Sequence, residues 1–235
     1  MNKILIVQFR TDQSLAQERR CMIDTFGPAV SQRVCFANAI TEDLNTELLA
    51  GVSHVILGGS GEFFLGQGAG EGTWLPKIEA FIEEIYARDI PVFGICFGHQ
   101  IILKHAGAQI QRNPDMEEVG TFLVTCNSFA ATDELMENIP MSFDAIYAHK
   151  ETPVDVPDSI VVLASSERVR EAVTRVAGRR AWSVMFHPDM NMMAVRERFA
   201  MFPHYAESPE KFAQALATFR EAPAAQEILR KFVTL

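Results

Sequence analysis

The chain has 235 residues, of which 48% are hydrophobic and 22% are charged. This length suits one large α/β domain, and no apolar run approaches the roughly 20 residues of a membrane span. The formal net charge of −9 disfavours binding to nucleic-acid phosphates and to anionic membranes. The N-terminal segment also lacks the longer apolar region and cleavage site of a signal peptide, so we expect a cytoplasmic protein.

Strand and helix patterns alternate along the chain, which is typical of a doubly wound, mostly parallel sheet flanked by helices. Strands are predicted over residues 3–9, 33–37, 53–59, 91–95, 119–125, 142–148, 160–164, 169–176 and 180–186. Helices are predicted over residues 14–26, over 74–88, and directly after Cys96 as far as Gly107. We expect a single domain over residues 1–235.

A helical extension is predicted at about 190–235, in about three pieces broken near Pro203, Pro209 and Pro223. Its first part is rich in methionine and phenylalanine. One interpretation is a helix packed on the sheet, and the other is a surface for a partner protein or a second copy of the chain.

The four cysteines are Cys21, Cys35, Cys96 and Cys126. None forms a CxxC pair or lies beside histidine at a metal-ligand spacing, so the sequence indicates no metal site. It implies no tightly bound cofactor either. Three of the cysteines are interpreted as small buried hydrophobic residues, and Cys96 is different.

Cys96 lies in PVFGICFGHQ, where a buried strand gives way to a helix and Gly94 and Gly98 flank the cysteine two residues away on each side. This is the pattern of a nucleophile elbow, a sharp turn that leaves no room for larger side chains at those two positions. The start of a helix also stabilises a thiolate. The N–H of Phe97 is positioned to help hold an oxyanion. The alternative is a structural cysteine that follows a central strand.

A cysteine nucleophile needs a base, and the base needs an orienting group. Of the six histidines, His187 has the best context, because it closes the strand RAWSVMF within the run FHPD. Asp189 lies two residues on, where its carboxylate can fix the imidazole tautomer. His99 is expected to pack behind the elbow, and His149 receives no catalytic role.

A second oxyanion donor is expected from another strand end. Strand 53–57 runs directly into Gly58 and Gly59, where glycine lets the backbone approach a substrate. An ordinary tight turn is the alternative. A phosphate-binding loop is excluded, because no G-K-[ST] follows.

With these residues in place, the sequence resembles the class I glutamine amidotransferases, and most of all the glutaminase domain of GMP synthetase. GICFGHQ at 94–100 is similar to the family's cysteine signature, and FHPD at 186–189 to its histidine signature. The glycines at 58–61 resemble its oxyanion strand, and Glu118-Val119-Gly120 resembles its E-x-G element.

The resemblance implies the flavodoxin-like fold and a catalytic triad of Cys96, His187 and Asp189. Cys96 would form a thioester with glutamine and release ammonia, and the N–H groups of Gly59 and Phe97 would form the oxyanion hole. Gln100 would help to hold glutamine. The sequence departs from the family at Asp189, where glutamate is usual, and the segment 149–152 does not match the family's substrate loop.

No sequence feature indicates an ATP site, so an ammonia acceptor is expected on a separate synthase polypeptide. Two alternatives stay open. The same triad could hydrolyse another γ-glutamyl compound, such as a γ-glutamyl peptide, or the chain could be a catalytically silent binding or regulatory member of the family.

Overall fold

The computed structural model describes residues 2–66, 74–202 and 209–235. The strands are β1 (Lys3–Gln8), β2 (Val34–Asn38), β3 (Val52–Leu57), β4 (Val92–Ile95), β5 (Gln109–Arg112), β6 (Glu118–Cys126), β7 (Ser142–His149), β8 (Glu151–Val154), β9 (Ile160–Ser165), β10 (Val173–Val176) and β11 (Ala181–Val184). The helices are α1 (Ser14–Ser31), α2 (Trp74–Ala87), α3 (Phe97–His105), α4 (Met192–Met201), α5 (Pro209–Ala217) and α6 (Pro223–Phe232), with short 3₁₀ turns at Thr46–Leu49, Pro114–Met116 and Ala130–Thr132.

Nine strands form one sheet in the order β2-β1-β3-β4-β11-β10-β9-β6-β7. The first five are mutually parallel, whereas β10, β9, β6 and β7 pair antiparallel with their neighbours. The predicted fold class, an α/β sheet flanked by helices, is confirmed. The parallel half has the flavodoxin-like order, in which ligands bind beyond the carboxyl ends of the strands.

The hydrophobic core lies on both faces of this sheet, because successive strand residues point to opposite sides. Ile4 and Ile6 of β1 belong to one buried cluster, and Leu5 and Val7 belong to the other. Alternating apolar residues of a buried parallel strand therefore hold helices on both faces.

The C-terminal helices complete the first of these clusters. Phe232 of α6 is fully buried, and its ring centroid lies 5.2 Å from that of Phe93 and 6.3 Å from that of Trp182. Of the two interpretations of the extension, packing on the body of the protein is what α6 does. None of the helices in the described parts of the chain is long and apolar enough to cross a membrane.

Most predicted elements match observed ones within a few residues. The predicted breaks at Pro209 and Pro223 are the first residues of α5 and α6, as expected for proline at a helix start, and Pro203 lies outside the described residues. The two-stranded β5–β8 sheet was not predicted.

Candidate active site

Cys96 lies on the strained turn that the sequence predicts. Its backbone has φ 50° and ψ −95°, a conformation that residues other than glycine rarely adopt. β4 ends at Ile95 and α3 begins at Phe97. The Cys96 N–H donates to the Val184 carbonyl of β11 at 2.8 Å, so the turn is fixed to the sheet while its side chain leaves it.

Both flanking glycines are sterically required. A Cβ on Gly98 would lie 2.2 Å from the Leu57 carbonyl oxygen, and a Cβ on Gly94 would lie 2.6 Å from the Gly98 oxygen. Real side chains do not approach backbone atoms this closely. Gly98 is therefore required by close approach of the elbow to the end of β3, and Gly94 by close approach of β4 to the first turn of α3.

Three neighbouring parallel strands deliver the predicted site residues to one edge of the sheet. β3 ends at Leu57 and leads into Gly58, β4 ends before Cys96, and β11 leads into His187. Adjacency of β3, β4 and β11 is what brings together residues that are far apart in the sequence.

His187 is buried, and both its ring and its backbone N–H have polar partners. Its Nδ1 lies 3.2 Å from Asp189 Oδ1, and its backbone N–H donates to the Ile146 carbonyl at 2.7 Å. Burial alone would lower the pKa of His187, but the charge of Cys96 and hydrogen bonds to Asp189 and Cys96 together raise the pKa to about 9. The imidazole is therefore protonated at neutral pH.

Asp189 reaches His187 although its side chain is one methylene shorter than the glutamate usual in the family. Burial would raise the pKa of Asp189, but the hydrogen bond and charge of His187, together with Arg198 and Arg10, keep that pKa below its ordinary value. The Asp189 carbonyl also accepts a hydrogen bond from Thr25 at 3.3 Å. The carboxylate is thus ionised and held against the imidazolium.

The two predicted oxyanion donors, the N–H groups of Phe97 and Gly59, differ in their hydrogen bonding. Phe97 is the first residue of α3, so its N–H has no acceptor within its own helix. The Gly59 N–H donates instead to the Glu18 carboxylate at 3.0 Å, and the Gly58 N–H donates to the Val7 carbonyl at 2.9 Å. The oxyanion role of Gly59 stays a prediction that requires a change in this turn.

A cavity of about 20 Å³ opens at Cys96. Its walls include Cys96, Phe97, Gln100, His149 and Glu151. This is room for a water-sized molecule. The amide nitrogen of Gln100 donates to the Glu151 carbonyl at 3.1 Å, and its role in holding glutamine stays a prediction.

The structure places His149, which received no catalytic role from the sequence, in the wall of this cavity. It is only 3% exposed and lines the cavity at Cys96. Its Nε2 lies 3.3 Å from Glu118 Oε2, whereas its Nδ1 has no hydrogen-bond partner in the described parts of the chain. The E-x-G element that contains Glu118 was the available signal. His99, by contrast, packs behind the elbow as predicted, with Nδ1 2.8 Å from Ser183 Oγ.

A buried network of charged and polar groups behind the site was not foreseen either. Arg10 Nε pairs with Glu18 Oε1 at 3.2 Å, and both side chains are almost fully buried. Arg198 donates to the Gln17 side chain, whose own amide donates to the Ala194 carbonyl at 2.7 Å. These groups join α1 and α4 to the region around Asp189. Within residues 2–66, 74–202 and 209–235, no group of three histidine, cysteine or acidic side chains could hold a metal ion.

Comparison with known proteins places the chain in a family. A family described as glutamine amidotransferase class-I matches residues 40–200. The GMP synthase [glutamine-hydrolyzing] of Malacoplasma penetrans is 28% identical over 106 residues, which cover 45% of this chain and 20% of that protein. The corresponding enzyme of Staphylococcus saprophyticus is 30% identical over 107 residues, covering 46% and 20%. The chain thus spans about one fifth of the length of the curated relatives it matches.

Solved structures share the fold over nearly the whole chain. A glutamine amidotransferase from Thermotoga maritima has a TM-score of 0.73 and 19% identity, covering 99% of this chain and 97% of that one. A glutamine amidotransferase from Methylobacillus flagellatus has a TM-score of 0.69 and 16% identity, covering 100% and 95%. Because the family match spans more than half of its residues, the chain belongs to the class I glutamine amidotransferase family.

Proposed function

We propose that the protein hydrolyses the side-chain amide of glutamine through a thioester on Cys96. One observation carries this proposal: a cysteine at φ 50° on a strand-to-helix turn raises the pKa of a buried histidine, and that histidine contacts an ionised carboxylate at 3.2 Å. A nucleophile, a proton carrier and an orienting group in this order form the arrangement of nucleophilic acyl transfer.

The chemistry follows from the position of the protons. The Cys96 sulfur attacks the amide carbon of glutamine, and the negative charge that develops on the amide oxygen is stabilised by backbone N–H groups, that of Phe97 among them. The C–N bond then breaks while the His187 imidazolium gives its proton to the departing nitrogen, which leaves as ammonia.

Hydrolysis of the thioester uses the same groups in reverse. After its first proton transfer His187 is neutral, so it can take a proton from water as that water attacks the thioester carbon. Glutamate leaves, and the Cys96–His187 pair returns to its starting state. Asp189 stabilises the imidazolium at both stages, because its Oδ1 lies 3.2 Å from Nδ1 of His187.

We propose further that the ammonia serves a synthase on a separate polypeptide. The GMP synthases that the chain resembles are described as glutamine-hydrolysing, and this chain matches about one fifth of their length. Their likeness supports a glutaminase role for this chain, and the acceptor itself is to be identified by experiment.

The test is covalent labelling with 6-diazo-5-oxo-L-norleucine, a reactive analogue of glutamine, read by intact mass. We expect one adduct on the native protein and none on Cys96→Ala. Cys35→Ala is the matched control, because Cys35 is the only one of the four cysteines that is not buried, and it should label like the native protein. A folded native protein without an adduct would refute glutamine as the substrate.

A further inference from the structure

The Gly58–Gly59 peptide at the end of β3 is held at both of its polar atoms. The Gly58 carbonyl accepts a hydrogen bond from the Gly98 N–H of the elbow helix at 3.0 Å. The Gly59 N–H donates to Glu18 Oε1 of α1, also at 3.0 Å. One edge of this peptide therefore faces the elbow, and the other edge faces α1.

The orientation of this peptide turns the Gly59 N–H away from the nucleophile. The carbonyl and the N–H of a trans peptide point in opposite directions, and the described residues contain no cis peptide. Because the carbonyl points to the elbow at Gly98, the N–H points away from it. In this orientation the Gly59 N–H is bonded to Glu18 and is not available to an oxyanion.

Glu18 favours this orientation for two reasons. Its carboxylate is 1% exposed and is fixed by Arg10 Nε at 3.2 Å and by the Gln8 side-chain amide at 2.8 Å, so it is a strong, well-placed acceptor for the Gly59 N–H. If the peptide rotated by half a turn, the Gly58 carbonyl would face the same carboxylate. Two acceptors would then meet without a proton between them, which is repulsive.

We propose that Glu18 is a latch on this glycine turn: it holds the Gly59 N–H in a resting orientation, and this N–H joins the oxyanion hole only when the peptide rotates and the bond to Glu18 breaks. The proposal rests on the proposed function, since it takes Cys96 as the nucleophile. Glu18 is a positioning residue here, because it acts on the substrate only through Gly59.

The variant Glu18→Gln tests the latch with little change in size. A glutamine at this position can accept from the Gly59 N–H, but it can also donate its own N–H to the rotated Gly58 carbonyl, so it removes the preference for the resting orientation. We expect kcat for glutamine hydrolysis to rise by about threefold or more, with little change in KM. Ser14→Ala is the matched control, because it removes a 2.8 Å hydrogen bond to Arg10 without touching the Glu18–Gly59 contact, and its kcat should not change.

A second measurement reports the bond directly. In protein labelled with ¹⁵N-glycine, the Gly59 amide proton should move upfield in Glu18→Gln, since it loses a charged acceptor, and should stay in place in Ser14→Ala. If Glu18→Gln does not fold, Glu18→Asp keeps the charge beside Arg10 while withdrawing the carboxylate from Gly59, and the same rise in kcat is expected.

The outcomes separate the two proposals. If the native protein labels at Cys96 but the folded Glu18 variant has an unchanged or lower kcat, the latch is overturned and the glutaminase proposal stands. If neither protein labels at Cys96, the glutaminase proposal has failed, and the latch fails with it. Labelling of the variant that is faster than that of the native protein supports both.

Discussion

Removing the Cys96 sulfur should lower the pKa of His187, since two opposing effects set that pKa. Burial favours the neutral imidazole, whereas Cys96 and Asp189 favour the imidazolium strongly enough to raise the pKa to about 9. Compared with the ordinary value of 6.5, this corresponds to about 3 kcal/mol of preference for the protonated form. In Cys96→Ala the contribution of Cys96 disappears and the effect of burial remains, so the pKa must fall.

The assay is an NMR titration of ¹³C-labelled histidine. The His187 signal is identified by its loss in His187→Gln, and its shift is followed with pH in the native protein, in Cys96→Ala and in Cys126→Ala. Cys126 is buried elsewhere, so its variant should keep the native titration. A His187 pKa that stays at about 9 in Cys96→Ala would refute the electrostatic coupling between His187 and Cys96.

The same pair should appear in the stability of the protein. Because the folded-state pKa of His187 lies above its unfolded value, its stabilisation is fully present below pH 6.5 and is lost as the pH rises through about 9. Denaturant unfolding between these pH values should therefore show a loss of stability in the native protein that is smaller in Cys96→Ala.

Three further predictions concern packing, the elbow and the substrate. Phe232→Ala should destabilise the protein by about 3–5 kcal/mol in denaturant unfolding, because the ring is fully buried. The control Met193→Ala, at a side chain that is 71% exposed, should change stability by less than about 0.5 kcal/mol. Equal effects of the two substitutions would contradict the packing assigned to α6. Gly98→Ala should reduce the labelling rate at Cys96 by about tenfold or more. Its Cβ would meet the Leu57 carbonyl at 2.2 Å, and displacement of a reactive group by about an ångström slows a reaction by at least this factor. A labelling rate equal to that of the native protein would disprove the steric argument. Glutamine should be hydrolysed faster than γ-glutamyl peptides when both are assayed side by side for glutamate release, and equal or better turnover of the peptides would reject the amidotransferase interpretation.

The sequence was informative wherever a local pattern determines the structure. The apolar period of residues 74–88 predicted α2, observed at Trp74–Ala87, and the glycines around Cys96 predicted the elbow. In contrast, β5 (QIQR) and β8 (ETPV) have four residues each and no alternating apolar pattern. They form a ribbon only because the fold brings Gln109 opposite Val154, and no local signal announces such a pairing.

The surroundings of the site were harder to predict than its centre, for the same reason. The signatures around Cys96 and His187 are short runs of neighbouring residues. Glu18 and Gly59, however, are 41 residues apart, and Arg198 lies 181 residues from Gln17. In the sequence these polar residues look like ordinary parts of solvated helices, and only the packing of α1 against the sheet and α4 reveals them as buried.

The position of β11 in the sheet also determines when the site can form. β4 pairs with β11 from Val92↔Ala181 to Ile95↔Val184, so the strand that precedes Cys96 gains this neighbour only after the ribosome has passed Val184. Contacts of such long range form late, because a large loop must close first. During synthesis Cys96 is therefore made well before His187, and the two residues can come together only after the ribosome has passed His187.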